Sequence, residues 1–403
     1  VAEEEAAREF VLKLGRGLHT YGYPAHRLED TLMRVCARLG LEGQFFSMPT
    51  ALFASFGTAG RQQTSQIRVE PGDVQLGKQA DMAAVADAVA RGMLAPQEGL
   101  RRLDEIEASP SPYGPGLTTL AFALTSGAAA RFFGGGWREI AVSTAIGLCT
   151  GLLAVAASSV PTLRRVFEPL AAAVAAALAT AAARFAGPVS VYIATVAGLI
   201  VLIPGFSLTV AMIELATRNL VAGTARLAGA AGTFLSIGFG VALGTQLARL
   251  AVGTPAPLVP EPIPMWTEWA ALVVAPLGFT VLLRARPRDA VWIGAAGVLA
   301  FAGTRLGTAL LGPELGAFVG ALALGVASNA YGRALGRPEV VPLVPGMLLL
   351  VPGSLGFQSL SSLLARQTIP GVEAAFRMTL VAVSLATGLL FANVVLPVRP
   401  REP

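Results

Sequence analysis

One stretch holds the residues most able to do chemistry in this 403-residue chain: Val201-Leu-Ile-Pro204-Gly205-Phe-Ser207-Leu-Thr209, followed by Glu214, Arg218 and Asn219. An ionisable side chain inside an apolar segment is costly and usually functional, so Glu214 is a candidate for carrying a coupling proton. A plainer reading pairs Glu214 with Arg218, one helical turn on, where the segment emerges into water. Pro204 removes a backbone donor and clashes with the preceding turn, and Gly205 frees the chain to bend. As one helix, residues 189–217 would measure roughly 43 Å at ~1.5 Å per residue, against a ~30 Å hydrocarbon core. A helix broken at membrane depth fits better, and transporters place substrate and ions at such breaks.

The stretch recurs. Shifted by 148 positions without gaps, Leu202, Pro204, Gly205, Leu215, Arg218 and Gly223 fall on Leu350, Pro352, Gly353, Leu363, Arg366 and Gly371. The second copy has two breaks, Val344-Pro345-Gly346 and Val351-Pro352-Gly353-Ser354, with Gln358 at helical spacing after Ser354. Unwound backbone would offer carbonyls to an ammonium group and half-helix N-termini to a carboxylate; a structural kink is the alternative. Arg218 and Arg366 would hold a substrate carboxylate in alternate states or snorkel to headgroups. Arg226 and Arg377 lie inside apolar segments, and Glu373 stands one turn before Arg377, so an internal Glu–Arg pair would serve structure or transport.

The elements that position these residues are apolar helices. The chain is 54% hydrophobic and 14% charged, far below the ~25% charged of soluble domains. Ten apolar segments are expected, near 117–133, 140–158, 169–186, 189–217 and 224–252, then 266–283, 290–311, 315–335, 340–364 and 372–397. A Pro-rich divider, Thr254 to Pro264, separates the two sets. Arg164, Arg165, Arg218, Arg284, Arg286, Arg288, Arg333, Arg337, Arg399 and Arg401 would share one face. By the positive-inside rule that face is cytoplasmic, together with both termini. Five spans is an odd number, so the second set would enter the membrane upside down, as an inverted-topology repeat.

Residues 1–113 read as a water-soluble α+β domain, followed by membrane repeats at 114–258 and 259–403. Phe10, Val11, Leu14 and Leu18 make one helical face, and Leu28, Leu32, Val35 and Leu39 a second. Strand-like runs cover Gln44–Met48, Thr50–Phe56 and Gln66–Glu70; helices return at Lys78–Met93 and Pro96–Glu107. Ser109 to Gly116 is a Ser/Pro/Gly linker. His19 and His26, across a turn, invite a metal or catalytic reading with Glu29 and Asp30. A third ligand and a nucleophile are undefined, so a solvated helix start is the simpler account. No histidine follows His26, and Asp289 is the only Asp after Asp104, which leaves an intramembrane hydrolase without a base. Cys36 and Cys149 lie in different regions and do not suggest a disulfide framework. The first residues are acidic and show no signal-peptide pattern. The net charge of +5 is an orientation signal rather than a nucleic-acid patch.

At the level of motifs the chain resembles the threonine/serine exporter family. Gly22-Tyr-Pro24-Ala-His26-Arg-Leu-Glu29 is similar to its opening motif, as is Gly92-Met-Leu-Ala-Pro-Gln-Glu-Gly-Leu-Arg-Arg-Leu-Asp-Glu-Ile106. Ile203-Pro-Gly205 through Gly223-Thr-Ala-Arg226 resembles its membrane signature, and Leu350-Val-Pro-Gly-Ser-Leu-Gly356 the second-half counterpart. The resemblance spans essentially the whole chain. It implies a bacterial inner-membrane exporter, not an enzyme, with ten spans and a soluble N-terminal domain, driven by the proton motive force and needing no cofactor. Members occur as one chain or split between the two sets of spans, and split relatives are associated with succinate export. Pro204, Gly205, Gly223 and Arg226 match the signature. Glu214 stands where the family usually has Asp, and Arg218-Asn219 replaces its usual Gly-Asp pair.

The sequence therefore reads as a proton-coupled exporter of threonine and serine, working by alternating access. Expected substrate or coupling residues are Glu214, Pro204, Gly205, Ser207, Arg218, Asn219, Arg226, Pro352, Gly353, Ser354, Gln358, Glu373 and Arg377, with no metal site. Expected partners are the small-molecule substrate and the lipid bilayer, with homo-oligomerisation open and no nucleic acid. The alternatives are a dicarboxylate exporter and a membrane-anchored enzyme or sensor that uses residues 1–113.

Overall fold

The computed structural model describes residues 2–58, 60–70, 72–256, 258 and 260–397. Arg399 and Arg401 of the charge argument lie outside the described residues. Residues 2–108 form α1 (Ala2–Thr20), α2 (Ala25–Arg38), β1 (Gly43–Met48), β2 (Ala51–Phe56), β3 (Gln63–Arg68), α3 (Leu76–Ala90) and α4 (Pro96–Ala108). The strands make one antiparallel sheet in the order β1-β2-β3. Alternation along β2 buries Leu52, Ala54 and Phe56, the one-sided pattern of a half-covered sheet. Against them pack Phe10, Leu14 and Leu18 of α1, Leu28 and Leu32 of α2, and Met82 and Val89 of α3. The third strand begins at Gln63 rather than at Gln66, because pairing with β2 sets its span: Gln63 lies opposite Phe56 and Arg68 opposite Ala51.

The first membrane half comprises α5 (Pro115–Phe132), α6 (Trp137–Ser159), a short α7 (Pro161–Arg165), α8 (Phe167–Phe185), α9 (Val191–Gly198), α10 (Gly205–Ala216) and α11 (Leu220–Val252). The second comprises α12 (Trp266–Leu282), α13 (Ala290–Leu311), α14 (Pro313–Leu335), α15 (Val340–Leu348), α16 (Gly353–Leu364) and α17 (Thr368–Val395). Among the described residues, seven helical stretches are long and apolar enough to cross a membrane: α6, α8, α11, α13, α14, α15–α16 together, and α17. Close backbone packing joins them. A Cβ on Gly244 of α11 would stand 2.0 Å from the Ala173 carbonyl oxygen of α8, so only glycine allows that approach.

The N-terminal region rests on one end of this bundle. The Leu76 N–H donates to the Leu283 carbonyl (2.9 Å) and the Gly77 N–H to the Arg284 carbonyl (3.2 Å), which attaches the start of α3 to the α12–α13 connection. The Tyr113 hydroxyl donates to the Ala285 carbonyl at 2.7 Å. Ion pairs join Asp81 to Arg286 and Arg27 to Glu339. Beneath them Leu76, Ala285, Ile293, Val340 and Val344 form an apolar cluster shared by both regions. At the other end of the bundle the Trp137 and Trp266 rings stand 6.1 Å apart, where α6 and α12 begin.

Candidate functional site

Both Pro-Gly breaks take the same backbone shape. Pro204 sits at φ −80°, ψ 38° and Pro352 at φ −82°, ψ 32°. Each opens a 12-residue half-helix, α10 and α16. Each half-helix closes on an arginine in the left-handed region, Arg218 at φ +64° and Arg366 at φ +61°. The closing bonds also correspond: the Asn219 N–H donates to the Glu214 carbonyl (2.8 Å) and the Gln367 N–H to the Ser362 carbonyl (2.9 Å). This is the glycine-type C-terminal cap of a helix, here built with arginine at the strained position. Arg218 thus keeps the turn in place of the glycine that the resemblance leads one to expect.

The two breaks meet each other. A Cβ on Gly205 would lie 3.0 Å from both Cα and N of Gly353, and one on Gly353 would lie 2.7 Å from Cγ2 of Ile203. Backbone therefore touches backbone at the crossing. The first-turn N–H groups of Phe206 and Ser207, and of Ser354 and Leu355, find no acceptor among the described residues. Two positive helix ends thus converge there, with unsatisfied donors. Thr209, fully buried, donates its hydroxyl to the Gly205 carbonyl at 3.1 Å.

Glu214 lies on α10 toward the end that the N-terminal region covers. Its side chain is 0% exposed. Arg226 of α11 donates to it bidentately, Nε to Oε2 at 2.9 Å and Nη2 to Oε1 at 3.0 Å. The Ala25 N–H, at the first residue of α2, donates to the same Oε1 at 3.2 Å. The expected alternative partner, Arg218, is not used. Its left-handed backbone belongs to the turn, and its side chain is exposed.

Around this carboxylate stand other ionisable groups from the N-terminal region. His19 is buried, with Nε2 2.7 Å from the Met48 carbonyl oxygen. Burial lowers its pKa, and the positive charge of Arg226 acts in the same direction. His26 is pushed down to about 4, first by burial and then by Arg27 and Arg226. Glu29 is raised by burial while it accepts the Ser47 N–H at 2.6 Å. The Nδ1 atoms of both histidines are buried without a partner among the described residues. No group of three or more His, Cys, Asp or Glu residues among the described residues is arranged to hold a metal ion.

The structure gathers the other expected residues only in part. Pro204, Gly205, Pro352 and Gly353 form the crossing, with Ser207 and Ser354 half-buried on the opening turns. Asn219 is occupied locally, its Nδ2 donating to the Thr217 carbonyl at 3.3 Å. Gln358 and Arg366 are exposed on α16 and in the turn after it. Glu373 and Arg377 pair at 2.8 Å, but on the outer face of α17, with side chains 58% and 54% exposed. That pair is not internal, because both residues sit in the first turns of α17 where the helix presents this face outward. The residue that sequence reasoning missed is Ala25. The Gly-Tyr-Pro-Ala turn marks its place, yet a contact made by a backbone amide leaves no signature in residue type.

The fold and site define a polytopic helical membrane protein with a paired broken-helix core. Residues 9–248 match the family described as "Putative threonine/serine exporter" and residues 268–395 the family described as "Threonine/Serine exporter, ThrE". The chain belongs to the threonine/serine exporter family. It is also similar to proteins named pheromone-regulated membrane protein 10 in yeasts. In Candida albicans the identity is 30%, over 91% of this chain and 34% of the relative. In Saccharomyces cerevisiae it is 28%, over 98% of this chain and 54% of the relative. The chain thus spans about a third to a half of the length of these curated relatives. No solved structure matches it.

Proposed function

We propose that this chain is a secondary active exporter of small hydrophilic amino acids, threonine and serine above all, driven by the proton gradient. The observation that carries this reading is the buried Glu214, paired with half-buried Arg226 of α11, on a half-helix whose N-terminus converges with that of its counterpart. The unsatisfied first-turn amides suit a substrate carboxylate, and the nearby carbonyls an ammonium group. Glu214 would carry the proton. Protonation removes the charge that its bidentate bond to Arg226 depends on, which loosens α10 from α11.

We further infer ten spans in two inverted sets of five, with alternating access about the crossing. Glu214 at the far end of α10 touches α2. The start of α17 lies instead beside Glu314, where Arg377 stands 3.8 Å away. Glu314 opens α14, and the other end of that helix places Tyr331 in a cluster with Ala80 of the N-terminal region. The two half-helices therefore run to opposite ends. The Arg284–Arg288 cluster shares an end with the N-terminal region, which supports a cytoplasmic location for that end. The family resemblance favours a bacterial inner membrane, while the named relatives are yeast proteins. A dicarboxylate cargo gains less support, since Arg218 and Arg366 are exposed away from the crossing.

The test is counterflow in proteoliposomes with labelled threonine, serine and succinate, with and without an imposed pH gradient. Saturable threonine or serine exchange that accumulates with the gradient is expected, and Glu214→Gln should lose the gradient response. Succinate exchange alone would overturn the substrate assignment.

A further inference from the structure

The N-terminal region touches both membrane halves, by different means. Its contacts to the second half are many and independent of any single charge: two backbone hydrogen bonds to residues 283 and 284, the Tyr113 hydroxyl, three ion pairs (Arg27–Glu339, Asp81–Arg286 and Asp73–Arg284) and the Leu76 cluster. Among the described residues its hydrogen bond to the broken-helix core of the first half is one, from the Ala25 amide to the carboxylate of Glu214. That amide is the first donor of α2 and has no intrahelical acceptor. Pro24 before it is extended, at φ −63°, ψ 145°, so the start of α2 is aimed at the ion pair. The groups facing Glu214 are Arg226 from α11, His19 from α1, and His26 and Glu29 from α2, with the Arg27–Glu339 pair just beyond.

We propose that Ala25 is a positioning residue of the Glu214 site, and that residues 22–30 are a strap that stays closed across the two halves only while Glu214 is ionised. Fixed to the second half and latched to the first, the strap opposes separation of the halves at this end. Neutralising Glu214 replaces a charged acceptor by a neutral one, weakens the Ala25 tie to the first half, and frees α10 and α11 to move. This rests on the transport reading only in assigning that movement to opening of the pathway.

Hydrogen exchange of the full chain in lipid nanodiscs tests it. Glu214→Gln should speed exchange in residues 22–30 about tenfold, the worth of one charge-assisted bond, and leave residues 76–90 unchanged. Ala25→Pro deletes the one donor at a position where proline suits the first helical turn, and should do the same. Ala25→Gly, which keeps the amide, should resemble the unsubstituted chain. Because the Ala25–Glu214 bond is the contact of residues 22–30 that both changes affect, the double variant should be no faster there than the faster single variant. Unchanged exchange in Ala25→Pro, or additive effects in the double variant, would overturn the proposal. Counterflow on the same preparations separates the two readings. If no substrate is exchanged, the transport assignment falls and the strap is still decided by exchange. If flux is present while exchange ignores both variants, the strap alone falls.

Discussion

The two broken helices have one backbone design and two chemistries. Pro204-Gly205 and Pro352-Gly353 match in dihedrals, in half-helix length and in the left-handed arginine that closes each half-helix. Yet the position matching Glu214 is Ser362, and the position matching Arg226 is Ala374. The first half buries a carboxylate under a bidentate arginine and a docked N-terminal region. The second places half-buried Ser362 and buried Ala374 at the matching positions and carries its Glu373–Arg377 pair on an exposed face. The two copies of the Pro-Gly stretch thus share a backbone shape, while the buried acid and its arginine partner occur in one copy alone. On the proposed reading one proton-carrying carboxylate suffices, and a second buried carboxylate would add desolvation alone.

The largest effect should separate the halves most sharply. Arg226→Ala leaves Glu214 buried without its cation and should destabilise the protein by about 3–5 kcal/mol, read as a lowered unfolding midpoint in detergent. Ala374→Gly at the matching buried position removes no charge and should cost only about 1 kcal/mol, the helix-propensity difference. Equal losses at the two sites would erase the asymmetry.

Next comes pH. His26 has a folded-state pKa of about 4 against an ordinary 6.5, so the unfolded chain binds more protons between those values. Stability from this group is complete above about pH 6.5 and falls as pH drops toward 4, by up to about 3 kcal/mol. His26→Gln should flatten that part of the stability profile, and a profile unchanged by the substitution would show that the ring is not held neutral at the docked end.

The crossing itself should be symmetric. Gly205→Ala and Gly353→Ala each drive a Cβ into the opposing strand of backbone or side chain, and each should destabilise by about 1–3 kcal/mol with strongly reduced flux. The two losses should be of similar size, because Gly205 faces the Gly353 backbone at 3.0 Å and Gly353 the stiff branch methyl Cγ2 of Ile203 at 2.7 Å. The smallest effect is a gain. Arg218→Gly and Arg366→Gly relieve left-handed strain and should each stabilise by about 1 kcal/mol, to an equal degree if both turns are purely structural. A loss of flux in one alone would assign that arginine a contact with cargo.

Much of the helical architecture was legible in the chain because apolar runs and Pro-Gly breaks act locally. Proline deletes a donor wherever it stands, and the 148-residue offset of the two breaks is visible without coordinates. The N-terminal helices and strands were readable from their periodicity for the same reason. The partner of Glu214 was not. Helical spacing pointed to Arg218, four residues on, but the left-handed turn at that arginine sends the chain back, so Arg226 of the next helix faces the carboxylate instead.

The sequence by itself determined where helices form and break, that the break occurs twice, and that one copy carries an acid, since these depend on side-chain type and on neighbours a few residues away. Only the tertiary structure decided that the two breaks touch, that Glu373–Arg377 faces outward, and that the amide of Ala25 reaches Glu214. Those contacts join residues 148 and 189 positions apart or depend on which way a helix face turns. Such proximity is set by the packing of whole helices, and a backbone amide, common to every residue but proline, carries no mark of it in the sequence.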